Sequence, residues 1–212
     1  MFTHQVNFQV PTNLGFLLDL KLLHLSKNKL GRDSNFLMSL TNCSKMESLT
    51  SAINQFEGVL PNSIGNLSTQ LHLLYLGGNQ ISGLIPAALQ NLINLISLGM
   101  EEAFFTGVIP TCFGKFLKMQ GWYLSGNKLS RPIPSSIGNL TQLVGFNLCQ
   151  NNLEGSIPPS IGNCLSLQQL DVSQIYLSEV IPQQVFSLFS LSLLLNLSYN
   201  SFSCRSWQFE KY

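Results

Sequence analysis

Few residues in this 212-residue sequence carry chemistry at a spacing that could use it. The three histidines, His4, His24 and His72, have no neighbours at metal-ligand spacing. The five cysteines, Cys43, Cys112, Cys149, Cys164 and Cys204, are odd in number and include no CxxC pair, so a disulfide framework is not supported. Cys43 and Cys164 stand where sister segments carry Leu67 and Leu140, and read as small buried apolar residues. Glu101 and Glu102 are adjacent, so on a strand their side chains diverge; they read as a solvated face rather than a general acid/base pair. A GxSxG elbow, a glycine-rich phosphate loop, an HRD-like loop and a DFG triplet are all missing from the sequence. The expectation is therefore no catalytic residue, no metal and no cofactor. Four Asn-x-Ser/Thr tripeptides, at Asn42, Asn66, Asn139 and Asn196, are N-glycosylation acceptors if the chain is secreted. Asn66 and Asn139 share a Gly-Asn-Leu slot expected on an accessible side, whereas Asn196 falls in an expected strand.

Bulk properties narrow the classes further. Hydrophobic residues make up 45% and charged residues only 10%, well below the roughly 25% charged content usual for globular proteins. High hydrophobicity with low charge excludes a disordered chain. A net charge of +1 gives no electrostatic reason to bind nucleic acid or an anionic membrane. The opening MFTHQVNFQV lacks the basic start and apolar run of a signal peptide. The most apolar stretch, Val185 to Leu197, falls short of the roughly 20 residues a membrane helix needs, so no membrane span is expected.

What organises the sequence is a repeat, carried by two ladders. Prolines recur at Pro61, Pro86, Pro110, Pro134, Pro158 and Pro182, in steps of 25, 24, 24, 24 and 24 residues. A second ladder runs through Asn28, Asn54, Asn79, Ala103, Asn127, Asn151, Ile175 and Asn200. In the unit Leu71 to Asn94, Leu71, Leu74 and Leu76 point inward from a short strand while His72, Tyr75 and Gly77 point out. Asn79 ends the strand and bonds backbone groups at the turn, Gly83 permits a positive φ, and Pro86 turns the chain. One unit cannot bury its leucines alone; stacked units bury them in a continuous core. The ladders also break. Ala103 and Ile175 replace Asn, which is expected to leave buried backbone groups unpaired, and Arg131, Glu179 and Cys204 replace the turn glycine. Ser51 takes a core position that sisters give to leucine.

The pattern LxxLxLxxNxLxGxIPxxIGNL, seen in YLSGNKLSRPIPSSIGNL and NLCQNNLEGSIPPSIGNC, resembles the plant-specific leucine-rich repeat of receptor-like kinases and receptor-like proteins. The stretch LTNCSKMESLTSAINQFEGVLPNSIGNLSTQ is further similar to receptor kinases related to the rice bacterial-blight resistance receptor. The resemblance covers about residues 14–203, leaving an irregular segment 1–13 and an irregular tail 204–212. It implies an α/β repeat: a right-handed solenoid of about eight 24-residue units, with a concave parallel sheet and a second short strand around the LxGxIP segment. It also implies the recognition ectodomain of a plant cell-surface receptor-like kinase, outside the plasma membrane, serving immune or developmental signalling. The partners implied are a peptide or protein ligand and a co-receptor kinase. In relatives the serine/threonine kinase is a separate domain, and none of its motifs occurs here.

Outward strand positions line the concave face that repeat folds use for binding. They include Lys21, His24, Lys27, His72, Tyr75, Glu101, Glu102, Tyr123, Asn147, Gln168, Gln169 and Asp171. Aromatic side chains favour contact sites, which puts Tyr75 and Tyr123 first. The family's N-terminal cap with paired cysteines, its juxtamembrane segment and its kinase are not recognisable, so the expectation is a partial receptor. Two other readings stay open at this point: a soluble repeat-only inhibitor, and a non-functional piece of a duplicated receptor gene.

Overall fold

The computed structural model describes residues 9–203, so His4, Cys204 and the tail 204–212 lie outside the described residues. Each repeat contributes one strand to each of two parallel sheets, save the last, whose second strand is not among the described residues, as expected for a leucine-rich repeat solenoid. The first sheet has eight strands in chain order. They are β1 (Leu22–His24), β3 (Ser48–Thr50), β5 (Leu73–Tyr75), β7 (Ser97–Gly99), β9 (Gly121–Tyr123), β11 (Gly145–Asn147), β13 (Gln169–Asp171) and β15 (Leu194–Asn196). The second sheet has seven: β2 (Gly31–Asp33), β4 (Gln55–Val59), β6 (Gln80–Leu84), β8 (Phe104–Gly107), β10 (Lys128–Pro132), β12 (Asn152–Gly155) and β14 (Tyr176–Leu177). Coils that carry the proline close through a short helical turn after it, such as the 3-10 turns Asn62–Asn66 and Ser135–Asn139. The coil after β2 has no proline there and closes through α1 (Phe36–Ser39) and the 3-10 turn Leu40–Asn42.

The two-residue period of a strand sets the packing. The middle residue of each inner strand from β3 to β13 points into the core: Leu49, Leu74, Leu98, Trp122, Phe146 and Leu170 are all buried. Leu71 and Leu76 join them, as expected, and so do Cys43 and Cys164, both fully buried. An aromatic stack fills the central coils. Trp122 lies 5.4 Å from Phe146 and 5.7 Å from Phe113, and Phe113 lies 4.9 Å from Phe116. Ser51, in its leucine slot, buries a hydroxyl with no hydrogen-bond partner.

The asparagine ladder works as a shared network. Asn79 Nδ2 donates to the carbonyls of Leu76 (2.8 Å), Gly77 (3.2 Å) and Ser51 (3.0 Å), while its Oδ1 accepts from the Phe56 amide (3.1 Å). Asn54, Asn127, Asn151 and Asn200 repeat this arrangement, and Asn28 donates to Leu25 and Ser26. The breaks cost less than the sequence suggests. The carbonyls next to Ala103 are still served, since Leu76 O accepts from Asn79 and Met100 O from Asn127. Around Ile175, Leu148 O and Val172 O accept from Asn151 and Asn200. What each break removes is one acceptor, the Oδ1 that would face the Ile81 or the Leu153 amide.

Two left-handed residues occur per repeat where the sequence indicated one. The expected position holds Gly83 (φ 83°), and Arg131 (72°) and Glu179 (64°) take it without glycine. The second lies just before the ladder asparagine, at Lys27, Ile53, Gly78, Glu102, Gly126, Gln150, Gln174 and Tyr199. Among the described residues, no helix is long and apolar enough to cross a membrane, and no group of three His, Cys, Asp or Glu could hold a metal ion.

Candidate functional site

The outward residues of the inner sheet form rows, because its strands pair in parallel with matched register. One row runs Thr50, Tyr75, Gly99, Tyr123, Asn147, Asp171, Asn196. The row two residues earlier runs Ser48, Leu73, Ser97, Gly121, Gly145, Gln169, Leu194. Both rows narrow to Gly or Ser where they cross β7, and the earlier one stays Gly across β9 and β11. The middle of the face is therefore a floor of bare backbone from which two tyrosines rise.

Tyr75, Glu101 and Tyr123 converge on this floor. The Tyr75 ring leans over Gly99, and its hydroxyl donates to Ser97 Oγ at 2.6 Å. Ser97 Oγ in turn donates to the Gly121 carbonyl at 3.3 Å. The Tyr123 ring leans over Gly121 and Gly145; a Cβ on Gly145 would meet its hydroxyl at 2.8 Å. Glu101 follows β7, and its carboxylate lies over Gly77 and Gly99, where a Cβ on Gly99 would meet Oε2 at 2.9 Å. The three side chains can pack this way only because Gly77, Gly99, Gly121 and Gly145 leave the space empty. That floor is a feature the sequence reading missed, although small residues at successive outward strand positions were its visible signal.

The electrostatics of the cluster follow from burial. Glu101 Oε2 is buried with no hydrogen-bond partner. Desolvation raises the Glu101 pKa, its own backbone amide lowers it, and the charge of Glu102 adds to the rise. The Tyr123 pKa is raised by burial first, then by Tyr75 and by Glu101. Glu101 is absent from the ion pairs among the described residues, which join Lys21 to Glu47, Lys45 to Asp19 and Arg131 to Glu154. The expected solvated face holds for Glu102, which is exposed at a positive φ, but not for Glu101, whose carboxylate folds over Gly77 and Gly99 because neither position carries a side chain to hold it off.

The other expected positions lie on the same face but outside the cluster. His72 heads β5, with its ring near the Gln70 carbonyl at 3.3 Å. Asn147 Oδ1 accepts from the Cys149 amide at 3.0 Å. Gln168 is exposed beside β13. Asp171 is held by Ser173 Oγ at 2.7 Å and by Asn196 Nδ2 at 3.2 Å. His24 sits 3.0 Å from Ser48 Oγ, and Lys21 is committed to Glu47. Of the glycosylation candidates, Asn42, Asn66 and Asn139 are exposed, each the last residue of a 3-10 turn on the side away from the inner sheet. Asn196 differs: its amide is spent on Asp171 and Ser173, and a sugar there would displace those bonds.

Comparison with known proteins accords with this architecture. The Leucine Rich Repeat family profile matches residues 70–92, 123–140 and 142–164. Receptor kinase-like protein Xa21 of Oryza sativa subsp. japonica is 42% identical over 90 residues, which are 41% of this chain and 9% of the rice protein. The chain thus spans only a small part of the curated relatives it matches. Among solved structures, the Arabidopsis receptor kinase HAESA ectodomain with an N-terminally extended IDA peptide hormone superposes with a TM-score of 0.83 at 29% identity, covering 92% of this chain and 32% of that one. HAESA with IDA and the co-receptor SERK1 gives 0.77 at 26% identity, over 92% and 36% of the two chains. A plant ice-binding protein gives 0.81 at 28% identity, over 93% and 63%. The solenoid therefore has the leucine-rich repeat fold, similar to that of these plant receptor ectodomains. The ice-binding protein shows that this fold carries more than one function, so function must be argued from the surface.

Proposed function

We propose that this chain is the ligand- and partner-recognition part of a plant cell-surface receptor, related to receptor-like serine/threonine kinases, and that the concave sheet face receives an extended peptide. The observation that carries the reading is the glycine-floored centre of that face, with Tyr75 and Tyr123 standing on it. An extended backbone can lie close to bare sheet, and tyrosines supply large contact area at little entropic cost. The HAESA complexes with a peptide hormone and with SERK1 support peptide and co-receptor as the partner classes. Kinase activity belongs to other parts of such receptors, and this chain acts as a binding module rather than an enzyme. The site comprises Tyr75, Glu101 and Tyr123 at the centre, with His72, Asn147, Gln168 and Asp171 around them.

The test is a panel of synthetic secreted-type plant peptides presented to the immobilised chain by biolayer interferometry, repeated with the Tyr75→Ala/Tyr123→Ala variant. The expectation is at least one peptide whose binding falls tenfold or more in the variant. Absence of binding, or binding indifferent to the variant, overturns the reading. The same reading places the chain outside the cell, with glycans on Asn42, Asn66 and Asn139. Intact mass from a plant secretory host should drop on enzymatic deglycosylation, and an unchanged mass removes that part of the proposal.

A further inference from the structure

We infer that the cleft between Tyr75 and Tyr123 is a cation subsite: it takes one ammonium or guanidinium group of an extended peptide, with Glu101 as counter-ion and the two rings as walls. This rests on the concave face being the peptide site. Strand β7 runs between the two tyrosine-bearing strands and offers outward only Ser97, Gly99 and, just beyond, Glu101. Strands two apart are separated by about 10 Å at the backbone, and the Tyr75 ring leans into that interval over Gly99, so an alkylammonium or guanidinium would lie on the ring's outward side, beside the Glu101 carboxylate. Cations are drawn to aromatic faces, and more so in a partly desolvated site.

The charge pattern selects a cation over an anion or an apolar side chain. Between His72 and Asp171, the inner strands and the residues just after them carry charge only at Glu101 and Glu102. Among the described residues, no ion pair neutralises Glu101. The basic residues of the neighbouring coils face elsewhere: Lys115 and Lys118 bond Gln90 and Asn94 outside the sheet. Lys128 lies 5.5 Å above the Phe104 ring in the second sheet, and Arg131 pairs with Glu154. A carboxylate with one buried, unbonded oxygen and no internal counter-ion is a poor arrangement for stability alone. An incoming cation would neutralise the charge of the carboxylate as a whole, while Oε2 stays buried against Gly77 and Gly99.

The cation can come from a peptide's N-terminus or from a Lys or Arg side chain, and the probes separate these sources. Four peptides are titrated into the isotope-labelled chain by NMR: Gly-Gly-Gly-Gly with a free N-terminus, its N-acetylated form, and N-acetylated Gly-Arg-Gly-Gly and Gly-Lys-Gly-Gly. All four are amidated at the C-terminus. The expected result is binding by at least one cationic probe, with shifts at Gly99 and Gly121, at least tenfold weaker for the neutral N-acetylated peptide. Glu101→Gln should weaken that binding at least tenfold while its melting temperature does not fall, and Glu57→Gln on the second sheet should leave it unchanged. Tyr123→Leu should also weaken it. Binding that is equal for cationic and neutral probes, or equal in the wild-type and Glu101→Gln chains, overturns the subsite but leaves a peptide-binding face standing. No shifts at the cleft from any probe overturn the subsite, while the broader peptide panel decides the fate of the face.

Discussion

Glu101 shows how a residue can be costly to the fold and useful at the surface. Its pKa is raised mainly by burial, so the folded state holds its proton more tightly than the unfolded chain does. The sign follows: its contribution to stability is fully present below the unfolded value near 4.5 and is lost as pH rises through the raised folded value. Glu101→Gln should therefore match the wild-type melting temperature in acid and exceed it above the folded pKa. Differential scanning fluorimetry from pH 3.5 to 7.5 reads this, and a flat difference would show that the carboxylate is not strained. Stability gained by removing a group that ligand binding needs is the usual trade at recognition sites. Cys164 is a simpler case of burial: its thiol is pushed up to about 11, as expected of a side chain that packs like the leucine of its sister repeats. The sequence showed that Glu101 points outward, because strand alternation fixes that. It could not show that the carboxylate folds down over Gly77 and Gly99, since that depends on the absence of a side chain in the preceding coil as well as in its own.

At the scale of the element, ladder and turn do separate jobs. A ladder asparagine accepts from one amide in the preceding coil and donates to carbonyls that its neighbour also serves. At Asn127 one of those carbonyls, Met100 O, has no second ladder donor because Ala103 fills the neighbouring position, so Asn127→Ala should cost about 1–3 kcal/mol or more by stranding that carbonyl along with the Phe105 amide. Asn28→Ala should stay within about 0.5 kcal/mol, because Asn28 is exposed. Urea unfolding midpoints of the two variants would separate the roles; equal losses would mean that the donor side matters as much. The turn has the opposite logic. Arg131 at φ 72° holds a conformation that suits glycine, so Arg131→Gly should stabilise by about 1 kcal/mol. A drop in its midpoint would mean that the exposed Arg131–Glu154 contact at 3.8 Å outweighs the strain. Coil period, inner strands and ladder were legible because each reuses one residue type at one spacing. The second left-handed position was not, since six of its eight occupants, among them Lys27, Ile53 and Tyr199, are not glycine; only Gly78 and Gly126 marked it.

The whole molecule behaves as a line of coupled coils, each touching only its neighbours, and this makes the centre its most consequential region. Trp122 occupies a slot given to leucine in the other inner strands except β11, where Phe146 stands, and it ties Phe113 in the preceding coil to Phe146 in the next. The substitution spreads one aromatic contact surface over β9 and β11, directly beneath the floor that carries Tyr75 and Tyr123. Its indole N–H has no partner, so the gain lies in packing and is offset by that buried donor. Trp122→Ala removes the packing and leaves a cavity, at a cost of about 3–5 kcal/mol. In a compact domain such a loss is shared by the whole structure, but in a line of coils it acts first on the adjacent ones. Hydrogen exchange of the variant should therefore accelerate most in β7, β9 and β11 and least in β3 and β13. Peptide binding at the tyrosine cleft should weaken with it, although Trp122 is buried and touches no ligand. Uniform acceleration along the chain would instead mean that the solenoid unfolds as one unit, and that the site draws its rigidity from the full stack rather than from the coils beneath it.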